Sequence, residues 1–409
     1  MIFIFHNLLF IKYVRKKIKL KKIKILLFII LLCLMEKNKI LDNNILGNNL
    51  IIRKEVEKYD LNDILNFNYT IKKNTILIFE PHAYHYECSP GYAKYFIDLG
   101  FNVDILMHKN GSDSFCLFQN KEKIRLFLYY DISQINSFYK NVSDFMNHYT
   151  FILIQTISEK RIETISKLDL LNKRKVIYVF HFTYYYDKLN FSKIENQNRI
   201  WTLGHFSIGL QVVPYYVGDI KLKDKNKKTR FFTVSTISRN YNFLVSAAKK
   251  LKNENLDFQV VVVGKVRKFS SKNINKNLKA NFLFNYRVNF ETLYNMVDSS
   301  DYIILTLDNK NKKDKIFKDK KVTGAAQLSY GFVKPALINS YFKDNYNMTE
   351  ENSFIFNKSN FYSVMKKAIL LNNKNYKLMQ KNLLETTKLI YNYSIRNIQK
   401  TLDSILINL

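Results

Sequence analysis

The 409-residue sequence has few cysteines, glycines and prolines. Its three cysteines, Cys33, Cys88 and Cys116, show neither a CxxC pair nor a metal-ligand spacing, so neither a zinc site nor a disulfide framework is supported. The ten glycines form no GxGxxG fingerprint, and no Walker lysine motif occurs. A dinucleotide-dependent enzyme and a P-loop ATPase therefore have little support.

Acidic residues are also scarce, with 34 Asp and Glu against 65 Lys and Arg, and the formal net charge is +31. The lysines are scattered and form no Arg-rich or RNA-binding motif, so we expect no nucleic-acid partner. A basic surface equally favours anionic lipid or a nucleoside diphosphate. We expect a cytoplasmic protein, with peripheral attachment to the cytoplasmic membrane face as the alternative.

The N-terminal segment, residues 1–35, carries eight Lys or Arg, no acidic residue and two apolar runs. Each run is shorter than the roughly 20 residues that a membrane-spanning helix needs. Three interpretations remain: a signal-like segment, a basic helix on the membrane surface, or a translated upstream extension with the true start at Met35. We assign residues 1–71 to an N-terminal extension and lead-in.

Alternating strand and helix patterns predict a first domain over residues 72–220. The apolar run TILIFE, Thr75–Glu80, ends at a proline, as a buried parallel strand does. The helix GYAKYFIDLG stops at Gly100, and the strands FNVDILMH, IRLFLYY, TFILIQTI and KVIYVF follow. The later helices are predicted over residues 132–149 and 163–171. This order indicates a doubly wound sheet that binds ligands outside the carboxyl ends of its strands.

A charged stretch, residues 221–230, is interpreted as the linker to a second domain over residues 231–375. The strand RFFTVSTI, the helix SRNYNFLVSAAKKL and the strand FQVVVVG restart the same pattern. Residues 376–409 are predicted as C-terminal helices. Two domains fit the length, because 409 residues exceed one ordinary core.

The stretch Lys321–Ser340, KVTGAAQLSYGFVKPALINS, has the form of a loop, a short apolar helix, a turn and a buried strand. Thr323 and Gly324 stand where the helix begins, so their backbone N–H groups and the helix dipole favour a phosphate there. Gly331 is expected to end the helix, and Pro335 fixes the turn. The stretch predicts an anion site at the carboxyl edge of a parallel sheet.

This stretch, with the preceding LYNMVDSSDYIILTL and FQVVVVG, resembles the donor domain of GT-B glycosyltransferases, especially the family 4-like group. The resemblance covers roughly residues 72–375 and implies an α/β fold of two Rossmann-like doubly wound domains. It implies a nucleoside-diphosphate sugar as substrate and no obligate metal or other cofactor, and it leans toward retention at the anomeric carbon. The glutamates that the family carries here are absent between Thr292 and Thr349, and Gln327 is the nearest polar substitute.

The resemblance also assigns donor-binding positions. Helix N-termini and basic side chains would stabilise the charge that grows on the diphosphate leaving group. The matching positions are Arg239, Gly264, Lys265, Thr323, Gly324 and Gln327. In the first domain, Gly91 matches a glycine that lets backbone amides approach the donor phosphates.

Histidines mark the cleft side of the first domain. His181 directly follows the strand KVIYVF and resembles a family histidine near the transferred sugar, where it would exchange a proton or bind a hydroxyl. A structural histidine is the alternative. His82, His85 and Glu87 lie in the loop after the first strand. They are expected to contact the acceptor, although His-x-x-His with a nearby Glu superficially suggests a metal site.

The expected function is sugar transfer to a glycan, lipid-linked or protein-linked acceptor in the interdomain cleft, as in polysaccharide biosynthesis. The loop 309–321, with seven lysines, would steer an anionic donor or membrane-bound acceptor, or would be a solvated surface loop. One alternative is a catalytically degenerate protein that binds nucleotides or glycans. The other is a basic, membrane-associated interaction protein.

Overall fold

The computed structural model describes residues 55–61, 72–137, 144–171, 173–215, 221–234, 241–264, 274–286 and 288–407. Glu55–Leu409 form one compact unit. The three interpretations of residues 1–35 lie outside the described residues. Within the described ranges, no helix is long and apolar enough to cross a membrane.

The first sheet has eight parallel strands in the order β1-β4-β3-β2-β5-β6-β7-β8. Its central strands are uninterrupted apolar runs, as expected for a sheet covered on both faces. The strands are β1 (Glu57–Asp60), β2 (Thr75–Phe79), β3 (Asn102–His108), β4 (Ile124–Tyr129), β5 (Phe151–Ile154), β6 (Val176–Phe180), β7 (Ile200–Thr202) and β8 (Leu210–Gln211).

Two apolar layers cover the faces of this sheet. The α-helices around it include α1 (Ser89–Asp98), α2 (Ile132–Ser137), α3 (Glu159–Lys167) and α4 (Tyr184–Lys188). Short 3-10 helices span Tyr86–Cys88, Lys109–Phe115, Lys121–Lys123, Phe191–Lys193 and Gln197–Arg199. The sheet order reverses at β2 and β5, so the loops after these strands diverge to opposite sides and leave a crevice.

The second sheet has six parallel strands in the order β11-β10-β9-β12-β13-β14. They are β9 (Thr229–Val234), β10 (Phe258–Val263), β11 (Phe282–Asn285), β12 (Tyr302–Ile304), β13 (Ala336–Asn339) and β14 (Ser353–Phe356). The helices are α5 (Asn242–Asn253), α6 (Phe290–Asp298), α7 (Lys312–Lys315), α8 (Gly324–Phe332), α9 (Phe361–Leu370) and α10 (Asn373–Leu406), with 3-10 turns at Lys276–Asn281 and Lys343–Tyr346. Apolar layers again cover both faces. The predicted α/β class with two doubly wound parallel sheets is confirmed.

Helix α10 packs against both sheets. Leu383 and Ile390 belong to a core layer of the second sheet, whereas Ile398 and Leu402, nearer the C-terminus of the helix, belong to a core layer of the first. The helix therefore fastens the two sheets to each other.

Some element bounds differ from the sequence-based ones. Strand β1 lies within residues 1–71, which were predicted as an extension and lead-in. It was not predicted because this edge strand has the polar sequence EKYD and lacks the apolar run that marks a buried strand. Helix α3 begins four residues before the predicted 163 and ends at Lys167. Helix α8 continues through Gly331, and Val333 takes the left-handed conformation that ends it. Val333 is fully buried, so apolar packing holds this residue where glycine is usual.

Candidate functional site

Polar side chains follow three neighbouring apolar strands of the first sheet. Glu80 follows β2, Gln155 and Thr156 follow β5, and His181 follows β6, and all four are buried. Glu80 accepts hydrogen bonds from Thr156 Oγ1 at 2.6 Å, from Gln155 Nε2 at 2.9 Å and from the backbone N–H of His82 at 2.8 Å. The carboxyl ends of these strands thus carry one connected polar network.

Glu80 is the buried acid at the centre of this network. Burial raises the pKa of Glu80 well above its ordinary value, and the hydrogen bonds from Thr156, His82 and Gln155 oppose that rise. Because all three partners donate to it, the carboxylate fixes the orientation of the Gln155 amide and the Thr156 hydroxyl. Glu80 is therefore a group that holds its neighbours in place.

His181 is a neutral imidazole with a defined tautomer. Its Nε2 lies 3.1 Å from the Gln155 carbonyl oxygen, which can only accept, so Nε2 carries the proton. Burial and the nearby charge of His85 lower the pKa of His181 well below its ordinary value. Nδ1 has no hydrogen-bond partner among the described residues, so it can accept a hydrogen bond from a ligand hydroxyl.

His82 is also buried, with its Nε2 2.7 Å from Ser158 Oγ. Burial, together with the positive charges of Arg161, His85 and Lys160, lowers the pKa of His82 to about 4. The ring is therefore neutral at neutral pH and lies under the cleft floor rather than in it.

His85 and Glu87 lie further along the same loop, and their side chains are partly exposed. His85 Nδ1 is 3.4 Å from Glu87 Oε1, and the His85 ring packs against His181 with centroids 4.4 Å apart. The backbone of His85 is left-handed, with φ 72° and ψ 12°. A non-glycine residue held in this conformation costs about 1 kcal/mol or more, so the surrounding contacts must stabilise it.

The second sheet contributes the N-terminus of α8, which follows β12. Gly324 is exposed, and a Cβ placed on it would meet no atom within 4 Å. Gln327, in the first turn, is 7% exposed, and its Oε1 lies 3.9 Å from Cys88 Sγ of the first sheet's loop. Gln327 Nε2 is buried with no hydrogen-bond partner in the described part of the chain. The open N-terminus and the unpaired amide donor lie side by side.

Loops from the carboxyl ends of the two sheets meet around this point. Phe182, after β6, forms an antiparallel bridge with Lys321, just before α8. The backbone N–H of Phe290, at the start of α6, donates to Asp113 Oδ2 at 2.8 Å. These contacts place the loops after the strands of the first sheet opposite the N-terminus of α8 in the second.

The comparisons with known proteins concern the fold. No family model matches the sequence, and no curated protein matches it. The structure is similar to that of a glycosyltransferase from Rickettsia africae ESF-5, with a TM-score of 0.53 and 13% identity over 83% of this chain and 100% of that chain. It is also similar to Anabaena HepE in complex with UDP and glucose, with a TM-score of 0.51 and 12% identity over 81% of this chain and 99% of that chain.

The chain has the GT-B glycosyltransferase fold. At these identities the similarity shows the fold alone. The narrower resemblance to the family 4-like group stays a prediction.

Within the GT-B fold, the structure brings two sets of the predicted residues together. His82, His181 and Glu87 come together with His85 at the edge of the first sheet, and Thr323, Gly324 and Gln327 come together at α8. Gly264 follows β10 with φ 116°, a conformation that glycine alone adopts readily. Arg239 and Lys265 lie outside the described residues.

Gly91 is buried in the first turn of α1, where a Cβ would lie 2.6 Å from the backbone of Pro214. Its close neighbour is thus another part of the chain. This packing by itself requires a glycine at position 91.

Sequence reasoning did not single out Glu80, Gln155 and Thr156. A signal was present, since Glu80 and Gln155 directly follow apolar strand runs and Thr156 is the next residue after Gln155. Among the described residues, no group of three or more His, Cys, Asp or Glu side chains could hold a metal ion. His82 is bonded to Ser158 and His85 to Glu87, so the His-x-x-His pair is engaged in protein contacts.

Proposed function

We propose that this chain is a glycosyltransferase that moves a sugar from a nucleoside-diphosphate donor to an acceptor hydroxyl between the two sheets. The observation that carries the proposal is Gln327, whose buried Nε2 has no hydrogen-bond partner among the described residues and which lies in the first turn of α8. An unpaired buried donor costs about 1–3 kcal/mol, so an oxygen of a bound ligand would recover that energy.

The N-terminus of α8 supplies the anion-binding part of the proposed site. The backbone N–H of Gly324 and the positive end of the helix dipole favour a diphosphate. The N–H of Thr323 already donates to Tyr346 Oη at 3.3 Å. The absence of side-chain atoms at Gly324 leaves room for it. The charge that develops on the leaving diphosphate would be stabilised at this position. Arg239 and Lys265 remain predicted partners of the same phosphates.

Gln327 takes the place of the glutamates that the family resemblance implies. Its carboxamide can donate to a sugar or ribose hydroxyl oxygen through Nε2, and it does so without a charge. HepE, which has a similar fold, was crystallised with UDP and glucose. That pair of ligands supports a nucleotide sugar as the donor class to test first.

The histidine side of the cleft would bind the acceptor and the transferred sugar. His181 is neutral, and its Nδ1 can accept from a sugar hydroxyl, while its Nε2 is fixed on Gln155. Contacts between the loops, such as the Phe182–Lys321 bridge, would exclude water from the activated sugar. A glycan, lipid-linked or protein-linked acceptor stays the expected class, and peripheral attachment to an anionic membrane stays a proposal.

The donor proposal is tested by thermal unfolding in the presence of UDP, GDP, ADP, CDP or TDP. A nucleotide at 100 times its Kd stabilises the folded state by about 2.7 kcal/mol, which raises Tm visibly. The matched variants are Gly324→Leu, which fills the space at the α8 N-terminus, and Lys374→Leu, an exposed first-turn change in α10. The first variant is expected to lose the shift and the second to keep it.

Two results would contradict the proposal. A folded chain with no shift for any nucleotide leaves no donor site to fill. A shift that survives Gly324→Leu puts the nucleotide elsewhere. Nucleotide binding without turnover of any nucleotide sugar would favour the degenerate binding protein instead.

A further inference from the structure

We propose that an outer groove, which begins beside the Phe182–Lys321 bridge and continues along α10, binds a neutral glycan chain of several sugar units as the acceptor. This inference rests on the proposed glycosyl transfer and selects one of the acceptor classes that remain open there. The residues that line the groove are separate from the proposed donor positions at the start of α8.

The groove consists of two adjoining cavities. The first has a volume of about 650 Å³ and lies between the segments after β6 and β7 and the segment before α8. The second has a volume of about 730 Å³ and lies between α10 and the segment that joins β13 to β14. His205 and Asn345 line both cavities, so the two adjoin. Each volume falls in the range of roughly 300–1,000 Å³ that is typical of ligand pockets.

The groove starts at the crevice where the transfer is proposed. Thr183 lines the first cavity, and its backbone N–H donates to the Lys320 carbonyl oxygen at 3.1 Å. This hydrogen bond adjoins the Phe182–Lys321 bridge. Thr183 follows His181 by two residues, which span at most about 7 Å of backbone. A glycan chain in the groove can therefore place its terminal hydroxyl near His181.

One face of α10 forms a wall of the second cavity. Helical residues three or four positions apart share a face. The residues of α10 that line the cavity at this spacing are Asn382, Thr386, Leu389, Tyr393 and Arg396. From the first to the last of them the helix rises about 21 Å. The wall is therefore long enough for several sugar rings in a row.

The side chains of the second cavity suit both the hydroxyls and the ring faces of sugars. The carboxamides of Gln211 and Asn347 have no hydrogen-bond partner among the described residues, so they can donate to and accept from hydroxyls. Tyr393 is 41% exposed, and its ring offers an apolar face and a polar hydroxyl. Leu389 is 69% exposed and adds apolar surface on the same helix face.

The groove is nearly neutral, although the formal net charge of the chain is +31. The acidic residues that line it are Asp187, Asp319, Asp344 and Glu351. The basic residues that line it are Lys318, Lys320 and Arg396. This balance gives no attraction for a polyanion, so it favours a neutral glycan over an acidic polysaccharide or an anionic lipid surface.

A glycan array tests the groove without any donor. The full chain is applied to arrayed neutral and acidic glycans, from single sugars to long chains, and the Kd is then measured by calorimetry for the neutral chain that binds best. We expect binding to neutral chains that strengthens with the number of sugar units. Tyr393→Ala removes an aromatic contact, so it is expected to raise this Kd about tenfold.

The control variant is Tyr286→Ala. Tyr286 is 54% exposed and follows β11, the edge strand at the other end of the second sheet. Its loss is expected to leave the Kd for the glycan unchanged. Thermal unfolding of both variants checks that they are folded. No binding to any neutral glycan, binding to acidic glycans alone, or equal Kd values for the two variants would refute the groove as a glycan site.

Transfer kinetics test the acceptor role of the bound glycan. With the unmodified chain, kcat/KM is expected to rise with the length of the neutral acceptor, and Tyr393→Ala is expected to remove that rise while keeping the rate on a single-sugar acceptor. Sugar transfer that does not depend on acceptor length refutes this inference and leaves the proposed function standing. Glycan binding with neither a Tm shift by any nucleotide nor turnover of any nucleotide sugar refutes the proposed function itself.

Discussion

The candidate site is made of polar side chains that directly follow apolar strands. His181 was predicted because it follows an apolar strand and resembles a family histidine, and Gln327 because it is the nearest polar substitute for the glutamates that the resemblance implies. Glu80 and Gln155 were not predicted, since their importance lies in hydrogen bonds to each other and to His82 and His85. The Glu80–Gln155 and Gln155–His85 contacts join residues 75 and 70 positions apart, so the sequence shows a polar residue after each strand but not the partner to which it bonds.

The pH dependence of stability tests the burial of His82. Its pKa is about 4 in the folded chain and about 6.5 when unfolded, so between these values the unfolded state binds more protons. The contribution of His82 is thus complete above pH 6.5 and is lost as the pH falls toward 4. Lowering the pH from 7 to 5 is expected to cost about 2 kcal/mol through His82.

Urea unfolding at pH 7 and pH 5 measures this loss. His82→Gln is expected to lose about 2 kcal/mol less between the two pH values than the unmodified chain. His148→Gln, a change at an exposed histidine, is expected to keep the original difference. Equal losses in the His82 variant and the unmodified chain would show that His82 is protonated in the folded state.

We expect Gln327 to lower the stability of the ligand-free chain and to strengthen the binding of the nucleotide sugar. Gln327→Leu removes a buried amide donor that has no partner in the described structure, so the ligand-free chain is expected to gain about 1 kcal/mol or more. The same change removes the proposed contact with a donor hydroxyl, so the Kd for the nucleotide sugar is expected to rise. Thermal unfolding and calorimetric titration measure the two effects. A less stable ligand-free variant would indicate that the amide is already satisfied.

At the scale of single elements, the sequence predicted buried strands better than edges and helix ends. The runs ILIF in β2 and VVVV in β10 are apolar because both faces of their sheets are covered. Strand β1 was not predicted because it is an edge strand, paired only with β4, and its residues are largely polar. Helix α8 was predicted to end at Gly331, but the left-handed residue that ends it is Val333. The burial of Val333 outweighs the local preference for glycine.

Two glycines that both stand at the start of a helix should respond differently to alanine. At Gly91, in α1, a Cβ would lie 2.6 Å from the Pro214 backbone, so Gly91→Ala is expected to cost about 1–3 kcal/mol through overpacking. At Gly324, in α8, a Cβ meets no atom within 4 Å, so Gly324→Ala is expected to keep or raise stability. Urea unfolding compares them. Equal stability of the two variants would refute the packing role of Gly91.

At the scale of the whole molecule, α10 connects the two sheets because it packs against both. The sequence predicted C-terminal helices over residues 376–409, but it could not show which of their residues bond to which sheet. Thr401 Oγ1 accepts from the indole Nε1 of Trp201 at 2.8 Å in the core of the first sheet. Ser394 Oγ accepts from the backbone N–H of Val213 at 3.1 Å. The helix is thus held by polar contacts as well as apolar packing.

Threonine-to-valine changes at two positions of α10 compare a hydroxyl that accepts a hydrogen bond with one that has no partner among the described residues. Thr401→Val leaves the Trp201 N–H buried without an acceptor, so it is expected to cost about 1–3 kcal/mol. Thr387 is equally buried, but its Oγ1 has no hydrogen-bond partner in the described residues, so Thr387→Val is expected to be neutral or stabilising. Trp201 is the single tryptophan of the chain, so its fluorescence reports the docking of α10 directly. Because a shift in emission is expected for Thr401→Val alone, equal spectra and equal stabilities for both variants would mean that α10 is not docked on the first sheet as the structure shows.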